Sequence, residues 1–176
     1  FVGVGTMGKP MAFNLLKAGF QVTICSHRNT GPVKELEGNG AIVVGTPREV
    51  AAVSQVVITC LPDSPQVEEV VTGADGILAG CQPGTIIIDT STINPQVAKT
   101  LAGLAAEKGC IFIDAPMSGG EVGAIAGKLT FMIGGDKESI ESCQDVFMAM
   151  GQKTYYAGGP GNGQVVKLCN NLMLGI

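Results

Sequence analysis

Short apolar runs alternate with amphipathic stretches along nearly the whole chain, which predicts strands and helices in turn. Phe1–Val4 reads as the end of an apolar strand. A helical pattern follows from about Met7 to Ala18, with Gly19 as its stop. Phe20–Cys25 predicts a second strand, and Pro32 opens a helix to about Glu37, since a first helical turn needs no N–H partner there. Ala41–Val44 is a third strand, and Thr46 caps a short helix over Thr46–Val53 with Pro47 just inside it. Val56–Cys60 is apolar without a break, as in a strand buried on both faces. Beyond it come a helix over Ser64–Val71, a strand over Thr85–Asp89 and a helix over Asn94–Lys108 with Asn94 as cap. Strands at Cys110–Asp114 and Leu129–Ile133, a helix at Lys137–Met150, a strand at Lys153–Ala157 and a helix from Gly163 complete the series. Strands spaced by helices in this way predict an α/β fold with a doubly wound, mainly parallel sheet.

Composition narrows the function. The chain has 176 residues, enough for one full domain and the start of another, and its 45% hydrophobic and 15% charged residues suffice for a well-buried core. A net charge of −4 without a Lys/Arg cluster argues against nucleic acid as a partner. The six cysteines form no C-x-x-C pair and the chain has one histidine, so no metal is expected. Free cysteines in apolar runs fit a reducing cytoplasm or organelle matrix, and cytoplasmic is the expected localisation. No apolar run reaches the ~18 residues of a membrane span, and no membrane partner is expected. The chain starts inside a strand and stops inside a helix, so both ends are expected to be cut.

Gly3-Val4-Gly5-Thr6-Met7-Gly8 follows the first strand and opens a helix. The first glycine permits a tight turn, the second lets a pyrophosphate approach the backbone, and the third lets helix pack on strand. In that setting the spacing points to a dinucleotide, although a plain glycine-rich turn has the same letters. Residues 1–160 are therefore read as a dinucleotide-binding domain, with 161–176 as the start of an interdomain helix. At the end of the second strand an acid would hydrogen-bond the ribose of NAD. Here Ser26, His27 and Arg28 stand instead, with no acid before Glu35. Arg28 and the following helix start suit a 2′-phosphate, so NADP is the preferred cofactor and NAD the alternative. If His27 and Arg28 are only solvated loop residues, either cofactor binds.

Lys167 is the only charged residue between Lys153 and the end of the chain. Asn170 and Asn171 lie three and four residues on, one helical face with it, while Val165, Leu168, Cys169, Leu172, Met173 and Ile176 gather opposite. An amine backed by apolar residues has its pKa lowered and is equipped to move a proton. The alternative is a surface lysine on an amphipathic helix. The sole histidine falls at the adenosine end, which excludes a Ser-His-Asp triad within this chain. Neither Tyr155 nor Tyr156 is followed by lysine four residues later. Lysine is left as the proton carrier.

Three further segments follow strand ends, where ligands collect in such sheets. They are Leu61-Pro62-Asp63-Ser64, Asp89-Thr90-Ser91-Thr92-Ile93 and Asp114-Ala115-Pro116-Met117-Ser118-Gly119-Gly120. With the glycine turn and the segment Gly163 to Asn171, they resemble the β-hydroxyacid dehydrogenase family, to which 6-phosphogluconate dehydrogenase is more distantly similar. The resemblance implies a Rossmann-type domain in which Gly3, Gly5, Thr6, Met7 and Gly8 hold the pyrophosphate. It further implies that Leu61, Pro62 and Thr92 line the nicotinamide half, with Gln66 close by. Ser118, Gly119 and Gly120 would grip a substrate carboxylate, Asn171 would orient the substrate with Ser91 near it, and Lys167 would be the catalytic acid and base. The implied activity is hydride transfer between a nicotinamide and a small β-hydroxyacid or semialdehyde acid, of the 3-hydroxyisobutyrate, tartronate semialdehyde, glyoxylate or succinic semialdehyde type.

Two departures stand out. Ser26 replaces the family's acid or Asn at the ribose position. The family's all-helical second domain, which closes the cleft and builds the dimer, is absent from this chain, so poor turnover is expected of it alone and a homodimer or homotetramer at full length. The rivals are an imine or ketone reductase on the same scaffold and a nucleotide-binding module without chemistry.

Overall fold

The computed structural model describes residues 1–25 and 30–175. The expected Rossmann-type α/β sheet is present, with helices on both faces. Strands β1 (Thr23–Cys25) and β2 (Ile42–Val44) pair in parallel at one edge. Strands β3 (Val56–Thr59), β4 (Ile86–Asp89) and β5 (Ile111–Asp114) form the parallel centre. The N-terminal segment joins the two parts. Val2 N–H donates to Ile58 O at 2.8 Å and Cys60 N–H to Val2 O at 3.0 Å, while Cys25 N–H reaches Phe1 O at 3.3 Å. Across the sheet the order is therefore β2, β1, Phe1–Val2, β3, β4, β5. The chain reverses direction of winding between Phe1–Val2 and β3, and that switch point opens a crevice at the strands' C-terminal ends.

The last part of the sheet departs from the parallel expectation. β7 (Leu129–Gly134) is antiparallel both to β5 and to β6 (Met117–Ser118), and β8 (Gly151–Gly158) is parallel to β7 on its other side. The pairs Asp114↔Gly134, Met117↔Phe131 and Ser118↔Thr130 keep one register, so β6 continues the line of β5 along β7. That continuation carries Ser118 to the top of the sheet.

Pleating sends neighbouring residues to opposite faces, and the central strands are buried on both. Ile58, Ile88 and Ile113 face one core with Met11 and Leu15 of α1 (Gly8–Lys17), Leu36 of α2 (Thr30–Glu37), and Phe147 and Met150. Val57, Ile87 and Phe112 face the other, with Val50 of α3 (Pro47–Ala52), Val67 and Val71 of α4 (Ser64–Thr72), Ile77 of α5 (Ile77–Gly80) and Leu101 of α6 (Pro95–Glu107). The expected caps are in place. Thr46 Oγ1 accepts from Glu49 N–H and Glu49 Oε2 from Thr46 N–H, a reciprocal box, and Asn94 accepts from Gln96 N–H at 2.8 Å.

The helix expected over Lys137–Met150 is two, α8 (Lys137–Ser142) and α9 (Gln144–Met150), broken at Cys143. Ser142 Oγ donates to Ser139 O, and Ser139 itself bonds Asp136, so local side-chain bonds compete with the helical ladder there. α5, β6 and α7 (Gly120–Ile125) are too short to show a period in the sequence. The final helix, α10 (Asn162–Leu174), packs its root on β5, β7, β8 and α6. Among the described residues no helix is long and apolar enough to cross a membrane.

Candidate active site

A cleft of about 600 Å³ opens at the C-terminal ends of the central strands. Met7 of the glycine turn, Cys60, Leu61 and Pro62 after β3, and Thr90, Ser91 and Thr92 after β4 form one side. Met117, Ser118, Gly119 and Gly120 after β5, with Lys167, Asn171 and Leu174 of α10, form the other. Residues singled out from separate stretches of sequence thus share one wall-to-wall space. Gly5 and Thr6 line a neighbouring groove with Lys9 and Phe13. Gln66 is exposed on α4 and is not among the residues lining the cleft. Ser26, His27 and Arg28 lie outside the described residues.

The glycine turn fits a dinucleotide. A Cβ on Gly3 would lie 2.2 Å from Cys60 O, and one on Gly8 only 1.9 Å from Gly3 O, so helix and strand approach too closely for any side chain. Gly5 is the opposite case, with no atom of the described residues within 4 Å of its Cβ position. It is exposed, and α1 behind it has no acidic residue in its first turn and no side-chain cap, which leaves its positive end open to phosphate.

Lys167 is half-buried, and burial pulls its amine below the usual lysine range. The expected cause of that burial is corrected by the structure. Val165, Leu168, Leu172 and Met173, read as an apolar backing, are 44–72% exposed, and Cys169 is exposed too. The inward face of α10 is instead its small and polar stripe: Gly163 and Gln164 are buried, and Lys167 and Asn170 half-buried. Asn170 Nδ2 is buried with no hydrogen-bond partner among the described residues. Gly163 makes this packing possible, since a Cβ there would fall 2.4 Å from Met132 O and 2.7 Å from Asp114 O.

Beneath the cleft lies a buried polar floor that sequence reading left unassigned. Asp114 Oδ1 accepts from Gly161 N–H at 2.7 Å and its Oδ2 from Gln164 N–H at 3.0 Å, so a β5 carboxylate caps α10 from below. Asp89 Oδ1 accepts from Thr59 Oγ1 at 2.7 Å and from Ser91 Oγ at 2.6 Å. Ser91 is 3% exposed, and its hydroxyl also accepts from Leu61 N–H at 2.9 Å. That hydroxyl therefore sets the position of Leu61 at the cleft, which Ser91 also lines. Gln164 is wholly buried and bonds the Ser91–Ile93 segment. A sequence signal existed for it: an amide three residues before Lys167, on the same helical face.

Burial pushes the Asp89 and Asp114 carboxyls each up to about 6, against the hydrogen bonds they accept. Asp89 Oδ2 has no hydrogen-bond partner among the described residues. A folded pKa above the unfolded value means that the folded state holds the proton more tightly, so the stability it adds is full below about pH 4 and is lost as pH rises through about 6. Asp89→Asn keeps the Oδ1 acceptor and removes one titration. Urea unfolding at intervals from pH 4 to 7 is expected to show a shallower fall in stability than in the native chain, by up to ~3 kcal/mol. Parallel curves for the two proteins would show that Asp89 does not titrate in that window.

The fold, the glycine turn and the ring of strand-end residues define a nicotinamide-dinucleotide-binding domain of a dehydrogenase family. The family model described as the NAD binding domain of 6-phosphogluconate dehydrogenase matches residues 1–158. An NAD-dependent L-serine dehydrogenase of Pseudomonas aeruginosa is 43% identical over all of this chain and 59% of its own length. The mitochondrial 3-hydroxyisobutyrate dehydrogenase of Bos taurus is 43% identical over all of this chain and 52% of its own. The Mycobacterium tuberculosis 3-hydroxyisobutyrate dehydrogenase structure with L-serine superimposes with a TM-score of 0.93 at 37% identity, over 99% of this chain and 58% of that one. The chain belongs to the β-hydroxyacid dehydrogenase family, and it spans little more than half the length of these relatives.

Proposed function

We propose that the protein oxidises small β-hydroxy acids, or reduces the matching semialdehyde acids, with this chain supplying the cofactor site, the carboxylate grip and the proton carrier. The observation that carries the reading is the shared cleft: Lys167 lines it together with Ser118, Gly119 and Gly120, and with Leu61, Pro62 and Thr92. The Ser118 hydroxyl and the backbone N–H groups after it hold the substrate carboxylate, since adjacent amides in a turn form an anion-binding concavity. Asn171, one turn beyond Lys167, orients the substrate. A nicotinamide held beside Leu61, Pro62 and Thr92 would supply hydride, or accept it, at the carbon that bears the substrate oxygen. Neutral Lys167 takes the hydroxyl proton in oxidation, and its ammonium returns a proton to the carbonyl oxygen in reduction. Its lowered pKa raises the neutral fraction near neutral pH.

Substrates of the 3-hydroxyisobutyrate, tartronate semialdehyde, glyoxylate and succinic semialdehyde type present the carboxylate and oxygen that such a site grips. L-serine, named with two of the relatives, has the same carboxylate and β-hydroxyl. The test is cofactor reduction by the full-length protein with 3-hydroxyisobutyrate and L-serine, beside isobutanol, which lacks the carboxylate. Turnover of the acids alone is expected. Equal turnover of isobutanol, or reduction of a cyclic imine instead, would move the protein to a ketone or imine reductase. Tight cofactor binding without turnover of any acid would leave a nucleotide-binding module.

The preferred dinucleotide is NADP, because Ser26 offers the ribose no carboxylate and Arg28 is suited to a 2′-phosphate. NAD is the competing reading, favoured by the name of the Pseudomonas relative. Arg28→Glu is expected to weaken NADPH binding roughly tenfold or more, about 1.4 kcal/mol, and to leave NADH binding nearly unchanged. Tighter binding of NADH than of NADPH by the native protein sinks the NADP assignment.

A further inference from the structure

We infer that Gln164 is a positioning residue for proton transfer, one that locks the nicotinamide-side loop to the helix carrying Lys167. The inference rests on the function proposed above. Gln164 is 0% exposed, and its carboxamide makes two bonds to one short stretch of backbone. Its Nε2 donates to Ser91 O at 2.8 Å, and its Oε1 accepts from Ile93 N–H at 3.0 Å. Those two peptide groups flank Thr92, an exposed residue on the cleft wall. The same residue's backbone N–H donates to Asp114 Oδ2 at 3.0 Å. Gln164 is thus fixed through its side chain to the loop after β4 and through its main chain to the end of β5.

Lys167 follows three residues later on the same helical face. Any shift of the first turn of α10 against the Ser91–Ile93 loop therefore moves the amine against Thr92. A simple surface clip would not need this arrangement. Ser91 and Ile93 are each 3% exposed, so their carbonyl and N–H groups have no access to water when the amide is removed. The loop and the helix would then relax separately. Proton and hydride movement at one carbon tolerates little misplacement: about 1 Å costs on the order of 10²-fold in rate. Ser91 ties the loop in turn to Leu61 through its hydroxyl, so three cleft segments share the anchor.

The test is a double-mutant cycle with Lys167, in the full-length protein under single-turnover conditions. Gln164→Met fills the same space without either bond. It is expected to lower kcat by roughly 10- to 10²-fold, with KM for the acid changed less than about threefold. In a Lys167→Ala background, the same substitution should change the residual rate by less than about threefold, because the group being positioned is gone. Equal fold-losses in the two backgrounds, or an unchanged kcat in folded Gln164→Met, would overturn the inference. If Gln164→Met does not fold, judged by its thermal transition, Gln164→Asn takes its place; it keeps the amide but withdraws it by one methylene, and the cycle reads out in the same way. An undiminished rate in Lys167→Ala itself strikes the proposed function first, and the inference falls with it.

Discussion

Lys167→Ala in the full-length protein lowers kcat by ~10²–10⁴-fold while the dissociation constant of the nicotinamide cofactor stays within about twofold. The range is what a positioned acid–base group contributes, and the split follows from the geometry. Lys167 lies on the cleft wall with Ser118 and Asn171, whereas the glycine turn that suits the pyrophosphate is on a different element. The pH profile supplies a second signature. Burial holds the Lys167 pKa below the ordinary lysine value, so the oxidation rate should rise with pH through that lowered pKa as the neutral amine accumulates. The reduction rate should fall across the same range, because it uses the ammonium. Both limbs should vanish in Lys167→Ala. Stopped-flow measurement of cofactor absorbance checks each. A variant with near-native kcat, or one that keeps both limbs, removes Lys167 from the chemistry.

Gly8→Ala should unfold or loosen the cofactor end of the domain. Its Cβ would meet Gly3 O at 1.9 Å and the Phe1 ring at 3.1 Å, and neither neighbour is a flexible side chain that can swing away. Overpacking of this kind costs ~3 kcal/mol or more when backbone must move. Gly5→Ala is the informative contrast, because its Cβ meets none of the described residues and its φ lies outside the left-handed region. Urea unfolding should show no change in midpoint for Gly5→Ala, while a fluorescence titration shows cofactor binding weakened roughly tenfold or more. Loss of stability in Gly5→Ala, or none in Gly8→Ala, would contradict the division of labour within the turn.

Sequence reading reached most of this fold for local reasons. Apolar runs such as Val56–Thr59 and Ile86–Asp89 are readable as strands because both faces are buried, and Thr46 and Asn94 announce their helices through caps that act within a turn. Elements below one period of their own pattern escaped, among them β6 and α7. The break at Cys143 escaped as well, since it follows from which partner a serine hydroxyl selects. The candidate site was legible where glycine and serine stand at strand ends and where one lysine stands alone in the final helix. The roles were missed where a residue acts through partners far away in the chain, as Gln164 does with Ser91 and Asp89 with Thr59.

By itself the sequence determined the alternation of strands and helices, the glycine turn, and the fact that the final helix carries one lone lysine. Spacing, turn geometry and charge are properties of neighbouring residues, so they can be read without a fold. Only the tertiary structure decided which side of that helix packs on this domain. Amphipathic patterning assumes that water covers the polar side, yet here Gln164 and Lys167 turn inward. Backbone groups of β4's loop and the buried Asp114 meet Gln164 there, and satisfied hydrogen bonds stabilise its burial while Leu168 and Leu172 point away from this domain.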